Sequence, residues 1–483
     1  MAAGVPSVLP SQLVELLVKR LPAFAELSTR HRTNIARMLW DYTNNRYRHN
    51  KYSGGAFSVG YMDDLWGNRR TRNQVVSNFF DCIQGDNHSH QMSNFTPFDF
   101  LGEVLLEYLE DDTSIDFMDA DRLMRTPPSP ILSRAASKDP NKLAKHSQWK
   151  GIRPSPFLPI NQEALLKFYR GSTDSREKIS ALRLLRLSRN KRWPGKIPLI
   201  YEQKSTGRLT EVLFSIQSTQ REVLSAALDG HWDYDLNNAH FSILSAWANR
   251  LGKTTPVVDD YLRNKKAIRA EVAAHCDSQI DLIKECLIAL LYGAPLSSNP
   301  DYAQIPKKLG VEKARLFANH PFVKSLKKEI FELGSVVVAD THSTRGCYVN
   351  AMGIEAPQFE KKSSTFNLLC HALQGVEALT LKAVVTEHGE DILLCMHDGW
   401  VSRRRLNCST LQDLIYAATG FELEIEEQKL PKYAPTLDGS GGWGFSDSTP
   451  VAKGGLVVSA SPAWSTKDNV SGRVTRTDLP RKR

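Results

Sequence analysis

The feature of this sequence that most constrains its fold is the segment 392–402, Ile-Leu-Leu-Cys-Met-His-Asp-Gly-Trp-Val-Ser. Five apolar residues lead directly into His397, Asp398 and Gly399, and two further apolar residues follow. This pattern predicts a buried strand, a tight turn and a returning strand. Gly399 suits the turn because glycine tolerates positive φ. Such a hairpin holds one carboxylate rigidly at its tip, as a catalytic group or as part of an ordinary surface turn.

A second aspartate has a similar setting upstream, in the segment 232–244, Trp-Asp-Tyr-Asp-Leu-Asn-Asn-Ala-His-Phe-Ser-Ile-Leu. The pattern predicts a short strand that ends at Asp235, followed by a helix with an asparagine cap. Two carboxylates at the ends of different strands suit two divalent cations about 3.5–4 Å apart. Mg²⁺ fits because it binds hard oxygen ligands and keeps room for substrate phosphates. The alternative is a helix-capping aspartate and a turn aspartate that share no site.

Composition narrows the class of protein. A chain of 483 residues is long enough for two or three subdomains, and its net charge of +9 indicates a polyanionic partner. The seven cysteines form no CxxC pair, which favours a reducing compartment over a disulfide or zinc framework. We find no apolar run of the roughly 18 residues that a membrane helix needs, and no secretion signal. We therefore expect a cytoplasmic protein that is not secreted and has no membrane partner.

The chain divides by composition. Residues 1–125 are predicted to form a mostly helical N-terminal region, and 126–160, rich in proline, serine and lysine, a linker or an extended crossing segment. Residues 335–339 and 347–350 are predicted to be strands joined by a turn. The segment 437–483 is rich in glycine, serine, threonine and basic residues, which predicts a disordered basic tail.

Positive charge recurs along the predicted helix 176–192. Arg183, Arg186 and Arg189 are spaced every third residue, and leucines lie between them. This spacing predicts one cationic face and one buried face. The cationic face would contact nucleic-acid phosphates or be simply solvated. Further along, Arg208 follows a turn glycine and offers a forked donor suited to a phosphate or a base edge.

A helix without a breaker is predicted over 280–292, with Gly293 as its stop signal. Lys284 and Tyr292 are eight residues apart and therefore about 80° apart around an ideal helix. This separation suits a lysine that meets triphosphate oxygens and a tyrosine that lies under an incoming sugar. The alternative is an ordinary amphipathic helix with an exposed lysine.

In their order along residues 200–402, these segments resemble the family A DNA polymerases and the related bacteriophage-type single-subunit RNA polymerases. The matching motifs are Thr206-Gly207-Arg208-Leu209 (the TGR element), Asp235 with the helix after it (motif A), Lys284 with Tyr292-Gly293 (motif B), Gln374-Gly375 (the QG helix) and His397-Asp398 (motif C). The resemblance implies an α+β right-hand fold. Its palm β-sheet and helical fingers would occupy 211–436, and a thumb-like region would occupy 161–210.

The resemblance also implies roles for individual residues. Asp235, Asp398 and Lys284 would be catalytic, and the two aspartates with the backbone carbonyl of Leu236 would bind two Mg²⁺ ions, or Mn²⁺ in their place. The nucleotide-binding residues would be Lys284, Tyr292, His240 and Gly293. The nucleic-acid-binding residues would be Arg208, Gln374, His397, Arg183 and Arg186.

Three departures from the family bear on function. Ile280 stands where the family has an arginine, so Arg269 or Lys266 would supply that charge. Gly399 stands where DNA polymerases usually have a glutamate, and His240 where they have the glutamate that excludes ribose. The sugar preference therefore stays open at this point.

The first interpretation is a template-directed nucleotidyltransferase that makes DNA. It would be a monomeric replicase of a virus, phage or plasmid, and its partners would be a nucleic-acid template, a primer or product strand, and nucleoside triphosphates. The alternatives are a single-subunit-type RNA polymerase and a non-enzymatic nucleic-acid-binding replication protein.

Overall fold

The structure, a computed structural model, describes most of the chain in separate stretches. These are residues 11–43, 56–58, 65–66, 75–84, 92–97, 99–111, 131–133, 148–189, 193–211, 214, 216–296, 303–342, 347–356 and 365–431. The predicted basic tail at 437–483 lies outside the described residues, as does much of the predicted linker at 126–160.

The described helices are distributed along the whole of this range. In chain order they are α1 (Ser11–Arg20), α2 (Pro22–Ala25), α3 (Thr29–Thr43), α4 (Asp99–Asp111), α5 (Gln162–Gly171), α6 (Ser175–Ser188), α7 (Arg221–Ala227), α8 (Ala239–Arg250), α9 (Pro256–His275), α10 (Ile280–Leu291), α11 (Gln304–Leu309), α12 (Val311–Asn319), α13 (Pro321–Asp340), α14 (Thr365–His388) and α15 (Cys408–Thr419).

The described strands form small sheets. In chain order they are β1 (Ala56–Ser58), β2 (Phe80–Gln84), β3 (Met92–Pro97), β4 (Ile131–Ser133), β5 (Phe157–Pro159), β6 (Lys196–Pro198), β7 (Tyr201–Gln203), β8 (Leu209–Glu211), β9 (Trp232–Leu236), β10 (Ile392–Cys395), β11 (Gly399–Ser402) and β12 (Ile425–Lys429). Strands β1, β3 and β2 make one sheet in that order, β4, β7 and β8 make another, and β5 pairs with β6. The predicted mixture of α and β structure is therefore present.

An antiparallel sheet with the order β10-β11-β9-β12 carries the two aspartates of the predicted metal site. The pairing of β10 with β11 confirms the predicted hairpin at 392–402. Along β9 the side chains of Tyr234 and Leu236 are buried, while Asp233 and Asp235 alternate with them and lie on the other face. The rings of Tyr234 and Trp400 stack in parallel at 5.5 Å between centroids, which packs β9 against β11 on the buried face.

Helices cover the buried side of this sheet. Helix α14 packs against α13, α15 and β10, and α15 packs against β12. The apolar side chains of α14 are distributed around most of its circumference, as expected for a helix enclosed by other elements. Helix α8 follows β9 directly and packs against α9, α13 and α14, and α9 in turn packs against α10 and α13.

Among the described residues, one helical stretch, Thr365–Asp391, has the length and apolar composition to cross a membrane. Its most apolar stretch is 72% buried inside the protein, as in a helix of a protein core.

The predicted strand at 335–339 is wrong, because these residues form the end of helix α13. The β-branched run of three valines lowers helix propensity by only a few tenths of a kcal/mol per residue. Burial outweighs this, since Ile330, Leu333 and Val337 are buried at helical spacing and α13 packs against α14. The predicted strand at 347–350 takes part only in isolated bridges, between His342 and Tyr348 and between Val349 and Glu355.

The prediction of a cationic face on the helix 176–192 is also wrong. Arg183 and Arg186 of α6 are 3% and 1% exposed. The guanidinium of Arg186 lies 3.6 Å from the centre of the Trp40 ring and donates a hydrogen bond to the Trp40 carbonyl at 2.8 Å. The guanidinium of Arg186 thus packs between α6 and α3, and Arg183 is buried as well, so neither can contact a phosphate backbone.

The segment 148–160, predicted as part of a linker, packs against the rest of the protein. Trp149 is fully buried, and its indole N–H donates to the carbonyl of Gly207 at 2.9 Å. The backbone N–H of Ser155 donates to the carbonyl of Ile392 at 2.8 Å. Of the two predicted alternatives, a linker or an extended crossing segment, these residues form the extended crossing segment.

Candidate active site

The structure brings Asp235 and Asp398 together, although more than 160 positions separate them in the sequence. Gly399, the residue after Asp398, pairs with Asp235 in the register of β11 and β9. The backbone N–H of Leu236 donates to the carbonyl of Asp398 at 2.8 Å. Each aspartate is therefore fixed to the backbone that carries the other.

Gly399 permits this close approach through its missing side chain. A Cβ atom built at this position would lie 2.1 Å from the carbonyl oxygen of Tyr234 and 3.2 Å from the Cα of Asp235. Its φ lies outside the left-handed region, so the positive-φ explanation given by the sequence is wrong. Glycine is needed here because two backbones meet where any side chain would collide.

Negative charge predominates at this site. The pKa of Asp235 is raised to about 7 by burial, by the negative charge of Asp398 and by that of Asp233. Arg221 opposes this rise, but its guanidinium is 3.9 Å from Asp233 and half exposed. Glu426 of β12 also pairs with Asp235 in register, and it is 3.3 Å from the amine of Lys265.

A cavity of about 260 Å³ opens beside the two aspartates. Its polar lining residues are Thr219, Arg221, Ser225, Asp233, Asp235 and Asp398. Half-buried and exposed carboxylates that repel one another beside an open cavity form a site that a cation would stabilise.

The oxygen donors of Asp235, Asp398 and the Leu236 backbone are ligands that Mg²⁺ or Mn²⁺ accepts. Within the described stretches, no group of three or more histidine, cysteine, aspartate or glutamate side chains is arranged to hold a metal ion. The protein would thus supply two carboxylates and backbone oxygen and leave other coordination positions to substrate and water. An open, oxygen-only site of this kind suits Mg²⁺ better than zinc.

A hydrogen-bonded chain of four side chains links the residue before β8, helix α14, helix α8 and the residue after α10. Glu377 of α14, 1% exposed, accepts from the Nε of Arg208 at 2.5 Å and from a second guanidinium nitrogen. The Nε2 of His240 lies 3.1 Å from the same carboxylate oxygen and 3.1 Å from a guanidinium nitrogen of Arg208. The Nδ1 of His240 is hydrogen-bonded to the hydroxyl of Tyr292. We call these four residues the relay.

Burial and charge fix the ionisation of two members of the relay. Burial alone would raise the pKa of Glu377, but His240 and Arg208 outweigh it and hold that pKa below its usual value. Burial raises the pKa of Tyr292 far above its usual value, although Arg208 opposes this rise. Glu377 is therefore a carboxylate, and Tyr292 a neutral hydroxyl.

The predicted motif B residues lie on and after α10. Gly293 has φ of +79° and ends the helix as predicted, and its Cα faces the ring of Phe366. Lys284 is exposed and forms no hydrogen bond or ion pair with the described part of the chain. It lies about 12 Å along the helix axis from Tyr292, given a rise of about 1.5 Å per residue.

The remaining predicted site residues have varied settings. His397 is exposed at the hairpin tip, next to Asp398, and Gln374 is half-buried on α14, one turn before Glu377. Arg208 is 17% exposed and uses its guanidinium within the relay. Arg269, considered as a substitute triphosphate cation, donates to the Tyr261 hydroxyl and to Asn238 at 2.8 Å.

Sequence reasoning missed Asp233 and Glu377 as site residues. Asp233 is two residues before Asp235 on a strand, and this spacing alone puts both on one face. Glu377 is the only acidic residue in the apolar sequence 366–386. An acidic residue in such a sequence is expected to be buried and therefore paired. The identity of its partners depends on the fold and has no local signal in the sequence.

Comparison with known protein families and with curated protein sequences finds no match. Among solved structures, the chain is similar to the polymerase domain of Pol1 from M. smegmatis in complex with DNA primer-template and dNTP. The two sequences are 14% identical, and the TM-score is 0.37. The match covers 69% of this chain and 65% of that chain, so it extends over less than two thirds of the Pol1 domain.

Proposed function

We propose that this protein is a template-directed nucleic-acid polymerase that adds nucleoside triphosphates to a 3′-hydroxyl, with DNA as the expected product. The observation that supports it is the pairing of Asp235 and Asp398 on adjacent strands beside an open cavity. The raised pKa of Asp235 marks a site whose charge is incomplete without cations. A structural ion-pair role would require a partner cation nearer than the half-exposed Arg221.

Asp235, Asp398 and the Leu236 carbonyl would hold two Mg²⁺ or Mn²⁺ ions. These ions would activate the 3′-hydroxyl and stabilise the leaving pyrophosphate. The sheet register keeps the two carboxylates at a fixed separation. The cavity lined by Thr219 and Arg221 gives the end of the growing strand a place beside them. In this proposal the β10-β11-β9-β12 sheet is the palm of a right-hand polymerase.

The incoming nucleotide would lie against α8 and α10, the fingers in this proposal. Lys284, exposed and unpaired among the described residues, would neutralise charge on the triphosphate. The Tyr292 ring, held by His240, would pack under the sugar and occupy the space that a 2′-hydroxyl needs. This supports deoxynucleoside triphosphates as substrates.

Contacts with the nucleic acid would come from groups around this centre. Gln374 and His397 are accessible on α14 and at the hairpin tip. Arg208 would contribute only the edge of its guanidinium that Glu377 does not occupy. Arg183 and Arg186 are no part of this proposal, because both are buried.

Primer extension on a defined template, with dNTPs and rNTPs in separate reactions, tests the proposal. We expect Mg²⁺-dependent extension that D235A and D398A each reduce by roughly 10³-fold or more. The exposed Asp413→Ala on α15 is the matched control and should leave the rate unchanged. Extension by D235A or D398A at more than about a tenth of the wild-type rate would remove that aspartate from the reaction.

A further inference from the structure

The relay places an acceptor-only group at one end of an imidazole and a hydroxyl at the other. Glu377, as a carboxylate, can only accept hydrogen bonds. It faces the Nε2 of His240 at 3.1 Å, while the Tyr292 hydroxyl faces Nδ1. The imidazole of His240 therefore connects the buried carboxylate of Glu377 to the hydroxyl of Tyr292.

A neutral imidazole carries one proton, and the two ring nitrogens then have opposite roles. With the proton on Nε2, His240 donates to Glu377 and Nδ1 accepts from the Tyr292 hydroxyl, so both contacts are hydrogen bonds. With the proton on Nδ1, the Nε2 lone pair can accept from a guanidinium nitrogen of Arg208 at 3.1 Å, but it also faces the Glu377 carboxylate oxygen at 3.1 Å, and this second contact is repulsive. Arg208 keeps its bonds to Glu377 in either form.

We propose that Glu377 is a positioning residue that holds His240 as the Nε2–H tautomer. The Tyr292 hydroxyl then donates to the Nδ1 of His240, and this bond fixes the orientation of the tyrosine ring. This inference rests on the proposed function only where it concerns the nucleotide. The hydroxyl proton of Tyr292 is then committed to His240, and only oxygen lone pairs face the substrate side. Glu377 acts on the sugar preference through two other side chains and touches no substrate.

Arg208 gives this arrangement its stability. A carboxylate with 1% exposure needs a paired cation, and the guanidinium of Arg208, the residue before β8, supplies it. The pair is neutral as a whole, so the relay orients the imidazole without adding net charge beside the nucleotide. Glu377 thus connects Arg208 to Tyr292 through His240.

The tautomer can be measured directly in the full-length protein by NMR of ¹⁵N-histidine-labelled samples. The His240 signals are assigned by their absence from the H240Q variant. We expect the wild-type imidazole to carry its proton on Nε2. A wild-type His240 with the proton on Nδ1, or with both ring nitrogens protonated, would overturn the inference. This measurement does not depend on whether the variants of Glu377 fold.

The variant E377Q replaces one acceptor oxygen by an NH₂ donor of the same shape. We expect a large fraction of His240 to move to the Nδ1–H tautomer, because the amide can then donate to Nε2. The matched control is E387Q, which makes the same change at an exposed position on the same helix and should leave the His240 signals unchanged. An unchanged tautomer in a folded E377Q protein would overturn the role of Glu377.

A double-mutant cycle tests whether the effect reaches the sugar through the tyrosine hydroxyl. We expect E377Q to raise the rNTP-to-dNTP ratio of kcat/KM by about tenfold, the effect of one hydrogen bond. In a Y292F background, which lacks the hydroxyl, E377Q should change this ratio by less than about twofold. An undiminished effect in Y292F would overturn the route through Tyr292.

The two proposals fail in different ways. Absence of polymerisation from every protein, with the expected tautomers in the NMR spectra, would reject the polymerase and retain the positioning role. Normal polymerisation with a wild-type Nδ1–H tautomer would reject the positioning role and retain the polymerase.

Discussion

The Asp235 side chain is ionised only at a cost in folding free energy, since it is half-buried near two other carboxylates. Its pKa is about 7 in the folded protein, against 3.8 for an unperturbed aspartate. The fold therefore favours the protonated carboxyl, and stability falls as the pH rises from about 4 to about 7. By neutral pH this cost is on the order of 2–4 kcal/mol without metal.

We therefore expect D235N to be more stable than the wild type in metal-free buffer at about pH 8, with a smaller difference at about pH 5. Thermal unfolding measures this. Added Mg²⁺ should raise the melting temperature of the wild type and have a much smaller effect on D235N, because one ligand is lost.

The exposed Asp413→Asn is the control for that experiment. It should shift neither the metal-free stability nor the response to Mg²⁺. Equal stability of D235N and wild type at both pH values would contradict the electrostatic description of the site.

At the same scale, the bond between His240 and Tyr292 predicts a change in sugar preference. H240A removes the group that holds the tyrosine and opens space beside the sugar. We expect the rNTP-to-dNTP ratio of kcat/KM to rise by about tenfold or more, as measured by single-nucleotide extension. H388A, at the far end of α14, is the control, and a ratio unaffected by H240A would exclude His240 from the nucleotide site.

At the scale of elements, the proposed function assigns α10 to nucleotide binding and not to template binding. Lys284 is exposed on the helix whose end carries Tyr292. K284A should raise the KM for nucleotide and lower kcat, since a charge facing the triphosphate is lost, while template affinity stays constant. Steady-state extension and template-binding assays separate these quantities, with the exposed Lys253→Ala as control. A loss confined to template affinity would make α10 a surface for the nucleic-acid backbone.

For helix α6 we predict an effect on stability and not on nucleic-acid binding, because Arg183 and Arg186 are buried. R186M keeps the length of the side chain but removes the stacking on Trp40 and the bond to its carbonyl. We expect the free energy of unfolding to fall by roughly 2–4 kcal/mol. The salt dependence of nucleic-acid binding should not change, because no phosphate contact is lost.

Denaturant unfolding and binding titrations at several salt concentrations test both parts. Arg170, more than half exposed and paired with Glu103 on the surface, provides the control. R170A should alter stability by less than about 1 kcal/mol. A flatter salt dependence in R186M would restore the interpretation of α6 as a nucleic-acid-binding helix.

The sequence predicted those elements whose signals are local. The apolar run before His397, the helix after Asp235 and the glycine stop at Gly293 were read correctly, since each depends on neighbours in the chain. The arginines of α6 were placed wrongly because their spacing shows which residues share a face but not what covers it. Val337 was assigned to a strand because packing against α14 is invisible in local propensity.

At the scale of the whole molecule, the site joins parts of the chain that no local pattern connects. The pairing of Asp235 with Gly399, and of Arg208 with Glu377, is set by the topology of the sheet and of α14. The resemblance to polymerases ordered the motifs along the chain but gave no partner for Glu377. The relay was found only from the three-dimensional arrangement.

The position of β9 between β11 and β12 has a consequence for how the protein folds. The chain leaves β9, forms helices α8 to α14, and returns more than 160 residues later to pair with the same strand. Closing so long a loop is slow compared with the formation of the intervening helices, whose contacts are local. In refolding experiments, helical circular dichroism should therefore recover before Mg²⁺ binding does. Mg²⁺ binding at the proposed site would then report the last long-range pairing of the sheet, because its two aspartates come together only when residue 399 pairs with residue 235.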